Sequence, residues 1–150
     1  MPLLLVAAAL VLAACSTGGG GATTSPIAPG SSAPSASVAA TRIEVNLTDA
    51  LRIEPAAMTV PAGVPVTFVV TNSGATDHEF YLGDEEAQAA HEKDMGEMGM
   101  GHDQPEGIAV KPGEAKQLTY TFAEAGQTLA GCHVAGHYGG GMRAAITVTG

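Results

Sequence analysis

Basic side chains are scarce in this chain of 150 residues: six Lys and Arg stand against fifteen Asp and Glu, and the formal net charge is −9. Ten of the acids and one lysine lie between Asp77 and Glu106, so the negative charge is concentrated in one segment. Because no basic face is present to neutralise phosphates, the composition argues against a nucleic-acid partner. The acids around Asp84, Glu85 and Glu86 favour a basic partner steered by charge, or serve solubility alone.

Long apolar runs are also absent, apart from the first fourteen residues, MPLLLVAAALVLAA. This run is too short to span a bilayer and is typical of the apolar region of a signal peptide. It has no preceding Lys or Arg, which is a departure from an ordinary signal. We therefore interpret residues 1–14 as a signal peptide and expect the protein to be extracytoplasmic, in the cell envelope.

Cysteine is nearly absent, with Cys15 and Cys132 as its two occurrences. Leu12-Ala13-Ala14-Cys15 resembles the lipobox of bacterial lipoproteins, which implies cleavage before Cys15 and a lipid anchor on it, at the periplasmic or the outer face of a membrane. An ordinary cleaved signal is the alternative. If Cys15 carries lipid, Cys132 has no partner for an internal disulfide. A bound metal would occupy this lone thiol.

Residues 16–40 contain only Gly, Ser, Thr, Ala and Pro apart from Ile27 and Val38. Such a segment cannot bury enough apolar area to offset the entropy of ordering, and it predicts a flexible linker. The domain organisation we expect is therefore a signal peptide at 1–14, a lipidated cysteine with a linker at 15–40, and one folded domain at 41–150.

From Thr41 onward, apolar residues alternate with polar ones at a period of two, which indicates half-buried strands separated by Gly- and Pro-containing turns. The clearest stretches are RIEVNL, PVTFVV, HEFYL, QLTYTF, TLAGC and AAITV. We predict an all-β, antiparallel sandwich of about seven strands. The segment 84–106 interrupts this pattern. Asp84 could cap a short helix over 84–95, and the glycines beyond it predict a mobile loop.

The C-terminal stretch GCHVAGHYGGGM places Cys132, His137 and Met142 at the spacing C-x4-H-x4-M. Thiolate, imidazole and thioether together favour copper, because thioether sulfur is a poor ligand for zinc or magnesium. A second imidazole is needed, and His78 is the best donor because it begins a strand that a Greek key can place beside the C-terminal strands. Taken alone, Met142 is in phase with the apolar side chains of the last strand and could be core.

This pattern resembles the cupredoxins, the type 1 blue copper proteins, and within them it is similar to the rusticyanin and auracyanin type. The resemblance implies a Greek-key sandwich in which His78, Cys132 and His137 are strong copper ligands and Met142 is a long axial one. It also implies a one-electron carrier and not an enzyme. Type 1 segments of multicopper oxidases have His before the cysteine, whereas this chain has Gly131, and five histidines cannot supply a trinuclear cluster.

Two positions depart from the cupredoxin pattern. Glu79 stands where the family usually has Asn, which ties the two ligand loops together, and His133 stands where Ser or Thr is common. Strand alternation points His133 away from Cys132, so we expect it to support the site from behind or to lie at the surface, not to bind copper.

A second set of metal-capable side chains lies in the insertion: His91, Met95, Met98, Met100 and His102. Thioethers and imidazoles on a flexible loop suit Cu(I) capture, although the methionines could equally cover the apolar end of the sandwich. We therefore carry two functions: an exported, monomeric one-electron copper protein with a redox partner, and a copper-trafficking or tolerance protein that hands Cu(I) on. A purely structural sandwich would leave the ligand set unexplained.

Overall fold

The structure, a computed structural model, describes residues 41–98 and 103–150. The predicted signal peptide, Cys15, the predicted linker and residues 99–102 lie outside the described residues. The described part contains one helix and nine strands, which are β1 Thr41–Thr48, β2 Arg52–Glu54, β3 Ala57–Pro61, β4 Pro65–Asn72, β5 His78–Gly83, α1 Glu85–Met98, β6 Gly107–Val110, β7 Ala115–Thr121, β8 Gly126–Gly131 and β9 Arg143–Thr149.

The strands form two sheets, so the predicted β-sandwich is confirmed. One sheet has the order β2-β1-β4-β7 and the other the order β3-β9-β8-β5-β6. The expectation of a wholly antiparallel sandwich was wrong, because β1 pairs with β4 and β3 pairs with β9 in parallel. Alternation in a sequence reports which face of a strand is buried and carries no information on the direction of its neighbour.

The expected number of about seven strands was too low for the part of the chain that the structure describes. The three strands outside the six stretches named in the sequence analysis are β2, β3 and β6, which have three, five and four residues. Segments this short do not provide enough alternating positions to be distinguished from turns.

The core lies between the two sheets and is built from the alternating apolar side chains that the sequence predicts. In β4, Val66, Phe68 and Val70 are fully buried. Phe68 contacts Phe80 of the opposite sheet with ring centroids 5.3 Å apart. Burying a side chain of this size contributes about 1.5–3 kcal/mol to the free energy of unfolding. Because such side chains are closely packed, the sandwich is a rigid support for the residues at its ends.

Helix α1 is inserted between β5 and β6. Asp84 caps it, since Asp84 Oδ1 accepts a hydrogen bond from Ala87 N at 2.9 Å. The helix continues through Gly96 to Met98, so the prediction of a mobile loop from Gly96 onward was wrong for these residues. Its buried stripe, spaced by three and four residues, consists of Gln88, His91 and Met95. With 14 residues, α1, the one helix in the described ranges, is too short to cross a membrane.

Candidate metal centre

Three of the four predicted copper ligands converge at one end of the sandwich. His78 is the first residue of β5, Cys132 follows β8 directly, and His137 lies in the loop between β8 and β9. His78 Nδ1 and His137 Nδ1 are 3.3 Å apart, and Cys132 Sγ lies 3.9 Å from the first and 3.5 Å from the second. Among the described residues, this is the one group of three or more His, Cys, Asp or Glu side chains that could hold a metal ion.

The separations fit a single ion. Imidazole nitrogen and thiolate sulfur bind first-row metals at roughly 2.0–2.3 Å. Three such atoms arranged in a plane around one ion lie about 3.5 Å from one another, which is close to the three measured distances. His78 and Cys132 are fully buried and His137 is partly buried. The fold therefore brings the three donor atoms to the spacing that one ion requires.

The loop between β8 and β9 closes on itself through backbone hydrogen bonds. Cys132 N donates to Met142 O at 3.1 Å, and Met142 N donates to His137 O at 3.0 Å. Gly136 and Gly141, each directly before a predicted ligand, have φ angles of 84° and 94°, which side-chain-bearing residues rarely adopt. The glycines thus allow the tight turns that bring the ligand positions together.

Met142 is fully buried and in phase with the core side chains of β9. Its backbone contacts with Cys132 and His137 place it at the same end of the sandwich as the donor group. Axial ligation by its thioether stays a prediction from the sequence.

The environment of Cys132 opposes a free thiolate. Burial raises the pKa of the Cys132 thiol to about 11, although the backbone N–H groups of Glu79 and Val134 act in the opposite direction. The pKa of His137 is lowered by burial and by the neighbouring His78, which favours the neutral imidazole that binds metals. A metal that binds here must displace the thiol proton.

Behind His78 lies a carboxylate. Asp49 Oδ1 is 3.3 Å from His78 Nε2, at ion-pair distance but outside hydrogen-bond geometry. Asp49 itself accepts hydrogen bonds from Ala75 N at 2.7 Å, Thr76 N at 3.2 Å and Thr76 Oγ1 at 2.8 Å. These donors, the first of them foremost, lower the pKa of Asp49 to about 2. A carboxylate behind a metal-binding imidazole orients the ring and raises its basicity.

Glu79 links the two ligand segments, which is the task that the usual Asn performs in the family. Its N–H donates to Cys132 Sγ at 3.3 Å, and its Oε2 accepts from His133 N at 3.3 Å. His133 points away from the donor group, as strand alternation predicts, but the idea that it lies at the surface was wrong because its side chain is buried. Sequence reasoning missed His91 as the partner of Glu79, at 2.9 Å.

The structure does not test the predicted second Cu(I) site. His91 and Met95 lie in α1 with buried side chains, and His91 Nε2 faces Glu79. Buried Met95 agrees with the alternative in which methionine covers the sandwich. Met98 ends the helix, with a side chain outside the described residues, where Met100 and His102 also lie. The site therefore stays a prediction.

A β-sandwich with a buried His–Cys–His group at one end defines the cupredoxin class. The family model of copper binding proteins, plastocyanin/azurin family, matches residues 39–149. The chain therefore belongs to the plastocyanin/azurin family of copper-binding proteins, and its described residues contain one copper centre, the group of His78, Cys132 and His137.

Curated relatives carry a name that concerns copper resistance. The "copper-resistant cuproprotein CopI" of Pseudomonas aeruginosa is 34% identical over 143 residues, covering 75% of this chain and 78% of the relative. The protein of the same name from Rubrivivax gelatinosus is 34% identical over 107 residues, and this chain spans only 65% of that relative's length.

Solved structures of auracyanins share the fold. Dithionite-reduced auracyanin from Roseiflexus castenholzii has a TM-score of 0.67 at 24% identity, covering 74% of this chain and 98% of the other. Auracyanin A from Chloroflexus aurantiacus, a "blue" copper protein, has a TM-score of 0.61 at 27% identity, covering 73% and 98%.

Proposed function

We propose that this protein serves copper tolerance in an extracytoplasmic compartment through a type 1 copper centre that exchanges single electrons. The observation that carries the proposal is the donor group itself: two imidazole nitrogens and one thiol sulfur lie 3.3 to 3.9 Å apart in a mostly buried site. The names of the relatives from Pseudomonas aeruginosa and Rubrivivax gelatinosus support the role in copper tolerance.

His78, Cys132 and His137 would hold the ion, and Met142 is the fourth ligand that the sequence predicts. Copper supplies the one-electron chemistry, because imidazole suits both of its oxidation states and thiolate with thioether suits Cu(I). The chain's contribution is stiffness. The hydrogen bonds within the β8–β9 loop and the two sheets keep the donor atoms in place, so little has to rearrange when an electron arrives. A closed ligand set also leaves no position for a substrate, which argues against an enzyme.

We propose that electrons enter and leave through His137, one of the three residues of the donor group. Its side chain is partly exposed, whereas those of His78 and Cys132 are fully buried. A redox partner that docks over this edge would reach the copper through one imidazole. The exposed acids Glu85 and Glu86, at the start of α1, favour a partner with a basic surface.

The test is reversible one-electron cycling of the copper-loaded protein with a soluble mediator. We expect the protein to retain its copper through repeated reduction and oxidation, with a rate that falls when His137 is changed to Gly. A protein that releases its copper to a chelator on each reduction would contradict an electron-exchange role.

A second candidate is copper trafficking, in which Cu(I) is captured by the methionines of α1 and the segment after it and handed on. The relatives' names favour this candidate as well, because tolerance can be achieved by transfer. Changing Met95, Met98 and Met100 together to Leu should leave electron exchange intact in the first case and abolish Cu(I) transfer in the second. Met58→Leu is a matched control, since Met58 is a buried core methionine in β3, outside the segment.

We further propose that the protein is exported and held at a membrane by lipid on Cys15. The support is the apolar run of residues 1–14 and the sequence Leu12-Ala13-Ala14-Cys15. Mass spectrometry of the mature N-terminus tests this directly: acylated Cys15 is expected in the membrane fraction, and Cys15→Ala should release the protein. An unmodified mature N-terminus would leave export without anchoring.

A further inference from the structure

Helix α1 covers the outer face of β5, and the contact between the two elements is polar. Glu79 and Tyr81 point to this face from β5, and Gln88 and His91 meet them from the buried stripe of α1. Buried polar side chains are costly unless they find partners. Here they are partners of one another, and the cluster lies directly behind Cys132.

Glu79 is the centre of this cluster. Its backbone N–H donates to Cys132 Sγ at 3.3 Å, and one carboxylate oxygen accepts from His133 N, also at 3.3 Å. The other carboxylate oxygen accepts from His91 Nε2 at 2.9 Å. A side chain of α1 therefore holds the residue whose N–H contacts the copper-binding sulfur.

The ring of His91 is itself fixed in orientation. It stacks on Tyr81 with centroids 3.8 Å apart and planes at 5°, and it meets the His133 ring edge-on with centroids at 5.0 Å. Both its direction and its distance from Glu79 are thus determined by packing. Rigid partners of this kind transmit position to the groups that they hold.

His133, the residue after Cys132, is bound to the same helix. Its Nε2 lies 2.6 Å from Gln88 Oε1, and its Nδ1 contacts Glu92. Gln88 Nε2 in turn faces the carbonyl oxygens of Tyr81, Gly83 and Leu129, which belong to β5 and β8. The helix is therefore tied both to the strand that carries His78 and to the strand that leads into Cys132.

We propose that α1 is an outer support of the copper centre, in which His91 and Glu79 act as positioning residues for the Glu79 N–H···Sγ hydrogen bond of Cys132. Hydrogen bonds to the thiolate withdraw electron density from sulfur and tune the reduction potential of bound copper. The orientation of Glu79 then controls the colour and potential of the centre without any contact to the metal. This inference rests on the copper centre proposed above.

The first test compares His91→Phe with His91→Gln in the copper-loaded full chain. Phenylalanine keeps a flat ring against Tyr81 but leaves Glu79 Oε1 buried without its donor. We expect the carboxylate to shift, the N–H···Sγ bond to weaken, the thiolate-to-copper band to move and the reduction potential to fall. Glutamine offers a new N–H donor, so His91→Gln should return both readouts toward those of the unaltered protein.

The second test changes charge with little change of shape. Glu79→Gln keeps an oxygen that can accept from His133 N and removes a buried carboxylate near the copper, which should raise the potential because the more positive Cu(II) loses an attractive charge. Asp94→Asn is the matched control. It removes a carboxylate from the exposed side of α1, where water and salt screen it, and should leave band and potential unchanged.

A readout without metal accompanies both tests. In the copper-free protein, amide hydrogen exchange of Glu79 and His133 should be faster in His91→Phe than in His91→Gln. If His91→Phe and Glu79→Gln both lower the melting temperature but leave band, potential and these amides as in the unaltered protein, α1 has no positioning role and the inference is overturned. If His91→Phe does not fold, the exchange of the Glu79 and His133 amides in copper-free Glu79→Gln decides instead, because this readout reports the contacts of the side chain and not the charge near copper. An unaltered protein without a thiolate-to-copper band would instead overturn the copper centre itself.

Discussion

The donor group is supported on two sides, which we call the His78 flank and the Glu79 flank after two neighbouring residues of β5. The two flanks are built in different ways. On the His78 flank, the supporting carboxylate is Asp49, which is exposed and held by backbone and hydroxyl donors of Ala75 and Thr76. On the Glu79 flank, the supporting side chains are buried and come from α1. The first flank belongs to the turns of the sandwich, and the second belongs to an insertion.

Turns of the sandwich and a local insertion therefore support the same site in different ways. An exposed carboxylate held by backbone donors stays adaptable, because water can replace a lost contact. Water cannot replace the buried contact between Glu79 and His91 in this way. We therefore expect a substitution of either residue to alter the hydrogen bond that Cys132 Sγ accepts. We therefore expect substitutions on the Glu79 flank to alter the copper centre and the stability more than matched substitutions on the His78 flank.

The largest effect is expected at Cys132, where the two flanks meet. Cys132→Ser replaces the soft sulfur donor by a hydroxyl that does not form a comparable bond to copper. The intense thiolate-to-copper absorption should be lost completely in a copper titration, while circular dichroism of the metal-free protein still shows the β-sandwich. A variant that retains the band would show that another sulfur binds the metal.

A pair of glycine substitutions compares the two flanks directly. A Cβ at Gly131 would lie 2.4 Å from Gln88 Oε1 and 2.8 Å from the Tyr138 ring, in the buried Glu79 flank. A Cβ at Gly74 would meet Asp49 Oδ1, at the end of an exposed side chain whose lost contacts water can replace, and would lie 3.1 Å from His78 Nε2. Urea unfolding should show that Gly131→Ala lowers the free energy of unfolding by about 1–3 kcal/mol and that Gly74→Ala lowers it less. The reverse order would contradict the comparison.

A smaller effect, of opposite sign, is expected at Gly96 within α1. A Cβ there meets no atom within 4 Å, and alanine favours the helix by roughly 0.5–1 kcal/mol over glycine. Gly96→Ala should therefore raise the free energy of unfolding. Gly113→Ala is the control, since its surroundings are equally open but its φ is 73° and alanine there is strained. If Gly96→Ala left the free energy of unfolding unchanged, α1 would be frayed at Gly96.

The smallest effect concerns acid stability at Asp49. Its pKa is lowered from 3.8 to about 2 in the folded state, chiefly by the Ala75 N–H. A depressed carboxyl pKa contributes stability that is present above 3.8 and is lost as the pH falls through about 2. Asp49→Asn should reduce stability at neutral pH and flatten its decline across this window, measured by urea unfolding at several pH values. An unchanged acid profile would show that the Asp49 contacts are too exposed to matter.

The convergence of His78, Cys132 and His137 could be predicted because it depends on local spacing and on a fold whose strands alternate clearly. Chain spacing also revealed Asp84 as a helix cap. The contacts of Glu79, His91 and His133 could not be predicted, because they join an insertion to two strands through side-chain packing over long sequence separations. The three- and four-residue spacing of Gln88, His91 and Met95 was a usable signal, but a helix face with two polar members does not stand out as buried.

The strand directions escaped sequence reasoning for a different reason. Alternation in β1 and β4 shows which side chains face the core, and these two strands pair in parallel although both patterns suit an antiparallel neighbour equally well. Short β2 and β6 offer too few positions for any pattern. The order and direction of the strands therefore depend on how the chain crosses between the two sheets. Composition and periodicity carry no information on these crossings.

The most direct test is a titration of the metal-free protein with Cu(II), followed by visible absorption and electron paramagnetic resonance. We expect one intense thiolate-to-copper band that saturates at one equivalent, one paramagnetic copper species, and loss of both signals on one-electron reduction. A colourless protein, or one that requires two or more equivalents to saturate, would contradict a single copper centre built from His78, Cys132 and His137.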